Sequence, residues 1–374
     1  MCSSDLGIMY KKKSFERIKF WRIIFQKKRD TILTLTGVIF LLFMDFSYTK
    51  ISYINYILKI PVLCVVFFSM VSLFKETQKI NYLEKEKHIP LMVIVGKSDN
   101  EFNSMTYSVL QAMEEHGFDE EFFKKEFGLE RDDWRIKGES FLSENPKEWE
   151  KLVHRFEDKL NRLEEKLMGH KVYHLFLNCP TVLATGMGAI MGTKYEVVLY
   201  QHDPGMGKSL YHPFIDFHSI RESNPEGVHI LKSRVNPANK FFDIEENCTG
   251  FPDMVMSIFA AGHDPKGDVE KAVEMETCKD SYSVMHLRSK TEGTLPKDAD
   301  WMRISQELAT NVLNQVSIKD IKSIKLCISA PVIIGFSLGM AIGTHSPVSL
   351  CNWFKNKESY YTVLNLNKLN RFLE

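Results

Sequence analysis

The sequence predicts an α/β fold: an N-terminal two-helix transmembrane hairpin followed by two fused Rossmann-like halves. Three observations lead there. Residues 173–201 (VYHLFLNCPTVLATGMGAIMGTKYEVVLY) recur as residues 324–352 (IKLCISAPVIIGFSLGMAIGTHSPVSLCN) at a constant offset of 151. The segments preceding each copy retrace one another element by element. Two nearly uninterrupted apolar runs, 32–48 and 54–74, stand ahead of both.

The repeat carries the fold argument. The copies share Leu175/Leu326, Pro180/Pro331, Gly188/Gly339, Gly192/Gly343, Thr193/Thr344, Val197/Val348 and Leu199/Leu350. Each reads as a buried strand, a helix entered at a proline, a Gly-Thr stop and a second apolar strand. Glycines four apart leave one helix face bare, so another backbone can approach it. A repeated β-α-β unit of this kind predicts a duplicated doubly wound half.

The hairpin follows from transfer energetics. Thirteen Ile, Leu, Val and Phe residues in 54–74 contribute roughly −6 kcal/mol of insertion free energy, against about +3 for Lys59. Each run approaches the length of a spanning helix, and the short linker around Lys50 permits only a hairpin. Residues 1–30 carry nine Lys/Arg against three Asp/Glu, and Lys75, Lys79, Lys85 and Lys87 follow the second run. Both ends of the hairpin, 31–75, are therefore expected on the cytoplasmic side. The flank 8–30, with Phe15, Phe20, Trp21 and Phe25 among its cations, reads either as an interfacial helix or as a solvated flank. Asp45 and Lys59 either pair within the bilayer or snorkel to its surface. Residues 1–6 are expected to be adapter-derived and carry no structural reading.

Residues 89–217 form the first expected half. A strand Ile89–Val95 leads to a helix through His116, for which Asp99 is the expected cap. A short strand near Asp133–Ile136 and a helix from Pro146 to Leu167 precede the first repeat copy, and a strand Tyr211–Phe217 ends it. Residues 218–250 read as a connecting loop. The second half, 251–374, retraces this order: strand 254–260, helix 266–274, strand 282–287, helix 301–316, the second copy and strand 360–366.

Composition narrows the function. Residues 75–374 carry 37 basic against 44 acidic residues, which argues against a duplex nucleic acid partner. Seven scattered cysteines without a CxxC pair fit reduced buried thiols. Twelve histidines lack metal-ligand spacing, so no metal site is expected. Gly335-Phe336-Ser337-Leu338-Gly339 matches G-x-S-x-G, yet the pattern puts Ser337 inside a helix rather than on the strand-to-helix turn that a nucleophile needs. Gly205–Ser209 has the tail of a P-loop without its first glycine.

Open α/β sheets bind ligands beyond the carboxyl ends of their strands. In the first half those ends hold Lys97 and Ser98, Asn178, and His202. In the second half they hold Arg288, Ser289 and Lys290, then Ser329, then Trp353. Cations at these ends suit phosphates, and Trp353 and Phe354 are either base-stacking platforms or core. Two facing half-sites suit a pseudo-symmetric ligand with several phosphates.

The closing block LCISAPVIIGFSLGMAIGTHSPVSLCNW with Ser359-Tyr360-Tyr361, and its sister LFLNCPTVLATGMGAIMGTKYEVVLYQHD with Tyr211, resemble the SAVED domain of bacterial CBASS antiphage systems. The resemblance spans 89–366, and the whole chain looks like a two-pass transmembrane SAVED effector. It implies two CARF-like halves that bind a cyclic di- or trinucleotide, with no other cofactor. It further implies homo-oligomerisation and disruption of the bilayer without catalysis. The expected location is the bacterial inner membrane, with both termini and the SAVED domain cytoplasmic. The ending Cys351-Asn352-Trp353 departs from most of the family. The alternative is a membrane-bound hydrolase or nuclease with a CARF-like regulatory domain.

Overall fold

The computed structural model describes residues 86–139, 141–202, 210–219, 229–233, 239–247, 251–276, 282–291, 293, 295–317 and 321–370. The expected flank and hairpin, and the P-loop-like run 205–209, lie outside these residues. Among the described residues no helix is long and apolar enough to cross a membrane.

The first half contains β1 (Lys87–Ile94), α1 (Asp99–Glu114), α2 (Glu120–Phe127), α3 (Arg131–Trp134), β2 (Arg135–Lys137), α4 (Pro146–Lys166), β3 (Lys171–Asn178), α5 (Thr181–Met191), β4 (Glu196–His202) and β5 (Tyr211–Asp216). Its sheet runs β2-β1-β3-β4-β5, parallel except for the antiparallel edge β5. Seven of the eight residues of β1 and six of the eight of β3 are buried, as parallel strands covered on both faces require.

The second half contains β6 (Phe242–Asn247), β7 (Asp253–Phe259), α6 (Lys266–Glu276), β8 (Ser283–Ser289), α7 (Trp301–Val316), β9 (Ser323–Ser329), α8 (Val332–Ile342), β10 (Val348–Phe354) and β11 (Ser359–Asn365). Its sheet runs β11-β10-β9-β7-β8-β6, with β11 and β6 as antiparallel edges. The two mixed sheets are two fused Rossmann-like halves. The duplication reaches single hydrogen bonds: Val95 N–H donates to Asn178 O at 2.9 Å, and Ala260 N–H to Ser329 O at 2.7 Å.

Three elements differ from the expected ones. The strand after α1 begins at Arg135, because Asp133 belongs to α3 and accepts the Glu130 N–H at 2.8 Å. The helix through His116 ends at Glu114, and the chain turns at Gly117, whose φ is +70°. The connecting segment contains β6, which pairs with β8. Its entry is held by Glu307 of α7, a buried carboxylate accepting the N–H groups of Lys240, Phe241 and Phe242 at 3.0 to 3.1 Å. The exposed acidic residues of β6 (Asp243, Glu245 and Glu246) also discourage further pairing at this edge.

The halves meet along α5 and α8. A Cβ on Gly188 would lie 2.1 Å from Phe336 O, and one on Gly339 would lie 2.0 Å from Thr185 O. These contacts interchange under the offset of 151, so the helices cross about a pseudo-twofold axis with their backbones touching. Thr181 Oγ1 donates to Ala330 O at 2.8 Å across the same seam. One apolar core runs through both halves. Phe156 of α4 meets Phe336 of α8 edge-on at 6.3 Å between centroids, and Phe214 of β5 meets Trp301 of α7 at 4.8 Å. Ser337 is fully buried within α8 and donates to Ile333 O at 2.8 Å.

Alanine normally favours a helix interior over glycine by about 0.5–1 kcal/mol. At Gly188 and Gly339 the sign is expected to reverse: each alanine variant should lose about 2 kcal/mol or more through overpacking against backbone. Gly262→Ala, with nothing within 4 Å of the added carbon, serves as the neutral control. Thermal unfolding of the three variants checks this, and an unchanged or raised midpoint for Gly339→Ala would contradict the seam.

Candidate functional site

Beyond the carboxyl ends of β1 and β3 lies a cleft of about 720 Å³ to which both halves contribute. Val95, Gly96, Phe141, Leu142, Trp149 and Pro180 come from the first half, and Asn352 to Asn356 from the β10–β11 hairpin of the second. Trp149 and Phe354 bridge the halves, their rings edge-on at 6.4 Å. Phe141 is 65% exposed, an unusual position for a phenyl ring that would otherwise seek the core. Lys355 is exposed on the hairpin.

Trp353 ties the cleft to the strand ends of the second half. Its ring lies 5.3 Å from that of His263, and the His263 carbonyl accepts a 2.5 Å hydrogen bond from Ser329 Oγ. The Trp353 Nε1–H is shielded from solvent and has no hydrogen-bond partner among the described residues. A buried donor of this kind is worth about 1–3 kcal/mol to any acceptor that reaches it. The helices that open beside the cleft are also uncapped. Pro180 and Pro331 occupy the N-cap positions of α5 and α8, and neither helix has a side-chain cap bond.

The other expected residues separate into three groups. Lys97 and Ser98 follow Gly96 at the cleft, but both are engaged: Lys97 Nζ lies 3.3 Å from Glu101 Oε1, and Ser98 is the helix cap. Ser98 Oγ accepts the Glu101 N–H at 3.4 Å, while Glu101 Oε2 accepts the Ser98 N–H at 3.0 Å. The Ser98 N–H and, at 2.8 Å, the Ser98 hydroxyl both donate to Glu101 Oε2, and these bonds, then the Lys97 ammonium, hold the Glu101 carboxyl below its usual range. Asp99, the expected cap, is instead the first helical residue. Its carboxylate pairs with Lys137, whose hydrogen bond and charge lower its pKa.

Asn178, Ser329, His202 and Trp353 are related by the repeat. Asn178 and Ser329 end equivalent strands, as do His202 and Trp353. Asn178 reaches Met105 Sδ through Nδ2 at 3.7 Å, a weak contact. His202 meets the ring of Tyr211 at 5.4 Å. Residues 203–209, which follow His202 in the chain, lie outside the described residues.

Arg288, Ser289 and Lys290 do not act together. Arg288 is still within β8, its guanidinium 5.7 Å above Phe259 and 3.8 Å from Asp264. Ser289 is buried and accepts the Thr291 N–H at 3.1 Å. Lys290 turns towards β6, where it donates to Asn239 O and lies 3.6 Å from Asp243. Of the nine expected residues, Trp353 lines the cleft.

No family model matches the sequence, and no curated protein matches it. Several solved structures are similar to it. One is the Cap4 SAVED/CARF-domain containing receptor of Acinetobacter baumannii with the cyclic trinucleotide 2'3'3'-cAAA, at TM-score 0.47 and 10% identity over 82% of this chain and 55% of that one. The same receptor with 3'3'3'-cAAA gives 0.48 and 12%, over 82% and 56%. The Moraxella osloensis Cap4 receptor gives 0.41 and 11%, over 82% and 57%. The chain thus spans little more than half the length of these receptors.

Sequence reasoning missed Phe141, Leu142, Trp149 and Lys137. Trp149 falls on the apolar stripe of α4 and reads as core. Lys137 was open to discovery, because it stands 151 residues before Arg288 and pairs with Asp99 as Arg288 faces Asp264. Removing the Ser98 cap should lower stability by about 1 kcal/mol, and Asp99→Ala by less, because its ion pair with Lys137 is exposed. Denaturant unfolding of both variants tests this, and the reverse order would reinstate Asp99 as the cap.

Proposed function

We propose that this chain is a membrane-anchored receptor whose cleft binds a cyclic di- or trinucleotide, and that binding drives assembly and bilayer disruption in antiphage defence. The observation that carries the reading is the aromatic cleft built by both halves beside the uncapped helix starts. A volume of about 720 Å³ falls within the usual range of ligand sites. Trp353 and the exposed Phe141 offer ring faces for bases. The N–H groups after Pro180, with Lys355, offer positive charge for phosphates. The resemblance of both repeat copies to SAVED domains supports the same ligand class.

A ligand that touches both Gly96 and the β10–β11 hairpin acts on two halves joined by one seam, so its binding energy orders the hairpin against the first half. Receptors that then self-associate bring their hairpins, 31–75, to high local concentration, where weak contacts between hairpins suffice. The action is physical rather than catalytic. Ser337 donates into its own helix from a fully buried position, which disfavours the hydrolase alternative.

The test uses the full chain in detergent, titrated with a panel of cyclic di- and trinucleotides by calorimetry. One ligand is expected to bind, and Trp353→Ala to weaken it by about 1–3 kcal/mol. A panel that fails throughout, or an affinity indifferent to Trp353, would contradict the receptor reading. In a second arm, dye-loaded liposomes carrying the chain are expected to leak only when that ligand is added. Binding without leakage would remove the membrane step and leave the receptor standing.

A further inference from the structure

At the amino ends of β1 and β3, opposite the cleft, three histidines from three separate elements converge. His88 is the second residue of β1, His174 lies within β3, and His116 follows α1 at the turn through Gly117. The register pairs His174 with Pro90 of β1, so the two-residue period of the strands places His88 and His174 on one face of the sheet. Tyr200 of β4, paired with Phe176, projects from that face as well. One ring nitrogen of each histidine lies within 4.8 Å of those of the other two.

We propose that His88, His116 and His174 form a zinc-binding site. Imidazole nitrogens are favoured ligands for this ion, which takes three protein ligands readily and leaves a fourth position for water. His88 Nδ1 lies 2.8 Å from His174 Nε2. Two nitrogens each about 2.0–2.1 Å from a tetrahedral zinc stand roughly 3.4 Å apart, so the pair has to open by about half an ångström to admit the ion.

The surroundings are those of a metal centre. A ligating histidine usually bonds a polar group through its other ring nitrogen, which fixes the tautomer. His174 Nδ1 lies 2.9 Å from the Tyr200 hydroxyl, leaving Nε2 to face His88. The same hydroxyl lies 3.0 Å from His116 Nε2. His88 Nε2 is 3.6 Å from Glu86 Oε1. That carboxylate is held in turn by His218 Nε2 at 2.8 Å, and His218 Nδ1 contacts Glu196 at 2.5 Å. Two carboxylates thus stand behind the ligands to balance a dication.

The probe is zinc itself, supplied to the full chain in detergent after removal of metals with a chelator. Elemental analysis after dialysis is expected to find a single tightly held zinc per chain. His116→Ala, at a partly exposed turn where folding tolerates the change, is expected to lose it. Tyr200→Phe keeps the ring in the core and is expected to weaken zinc binding by about 10–100-fold. Cobalt substitution gives a readout independent of stability: the wild type should show the strong visible bands of a tetrahedral ion, and His116→Ala should not. Failure to take up zinc or cobalt, or uptake that His116→Ala and Tyr200→Phe leave unchanged, overturns the site.

Discussion

The backbone contact between α5 and α8 is the constraint on which the rest of the described structure depends. At two points the helices meet backbone to backbone, Gly188 against Phe336 O and Gly339 against Thr185 O. Dispersion between touching backbones is weak per atom, but it is summed over a seam buried at nearly every residue. The contact also fixes geometry. Each helix begins at the carboxyl end of its own central strand, so crossing them tightly brings the strand ends of both sheets to one place. The cleft beside Pro180 and the hairpin that carries Trp353 are consequences of that crossing.

Duplication explains why a single chain acquires a site with two different walls. The repeat preserves the fold of each half: the bond from Val95 to Asn178 recurs from Ala260 to Ser329, and the pair Lys137–Asp99 recurs as Arg288–Asp264. It has not preserved the side chains at the strand tips, where His202 stands opposite Trp353 and Asn178 opposite Ser329. Scaffold residues are held by packing against a common core, whereas the tips are free to diverge towards a ligand.

This division also governs what the sequence discloses. The repeat, the apolar strands and the helices 146–166 and 301–316 are legible because periodicity and proline position are local signals. Ser98 and Asp99 are both good caps, and only the reciprocal bonds with Glu101 decide between them. The strand β6 is obscured because Asp243, Glu245 and Glu246 give it the composition of a loop. Trp149 hides within the stripe of α4, and Phe141 within a loop. The histidine cluster has no local trace at all: His88, His116 and His174 are brought together by parallel pairing and a glycine turn, and such non-local assembly leaves no spacing to read. The cysteines are the converse case. Cys179, Cys327 and Cys351 are buried thiols outside any disulfide, and burial pushes the Cys179 thiol up to about 12, as apolar surroundings dictate.

The cleft and the histidine cluster sit at opposite ends of the same strands, β1 and β3. An ion at the amino ends would tie α1, β1 and β3 together, steadying the strands whose carboxyl ends shape the cleft. The central claim, that both halves wall a single ligand site, is tested most directly by photo-crosslinking with an azido-purine cyclic nucleotide and mapping the labelled peptides. Label is expected both on peptides containing Phe141 or Trp149 and on the hairpin containing Trp353 and Lys355. Label confined to one half, or placed away from the seam between α5 and α8, would contradict it.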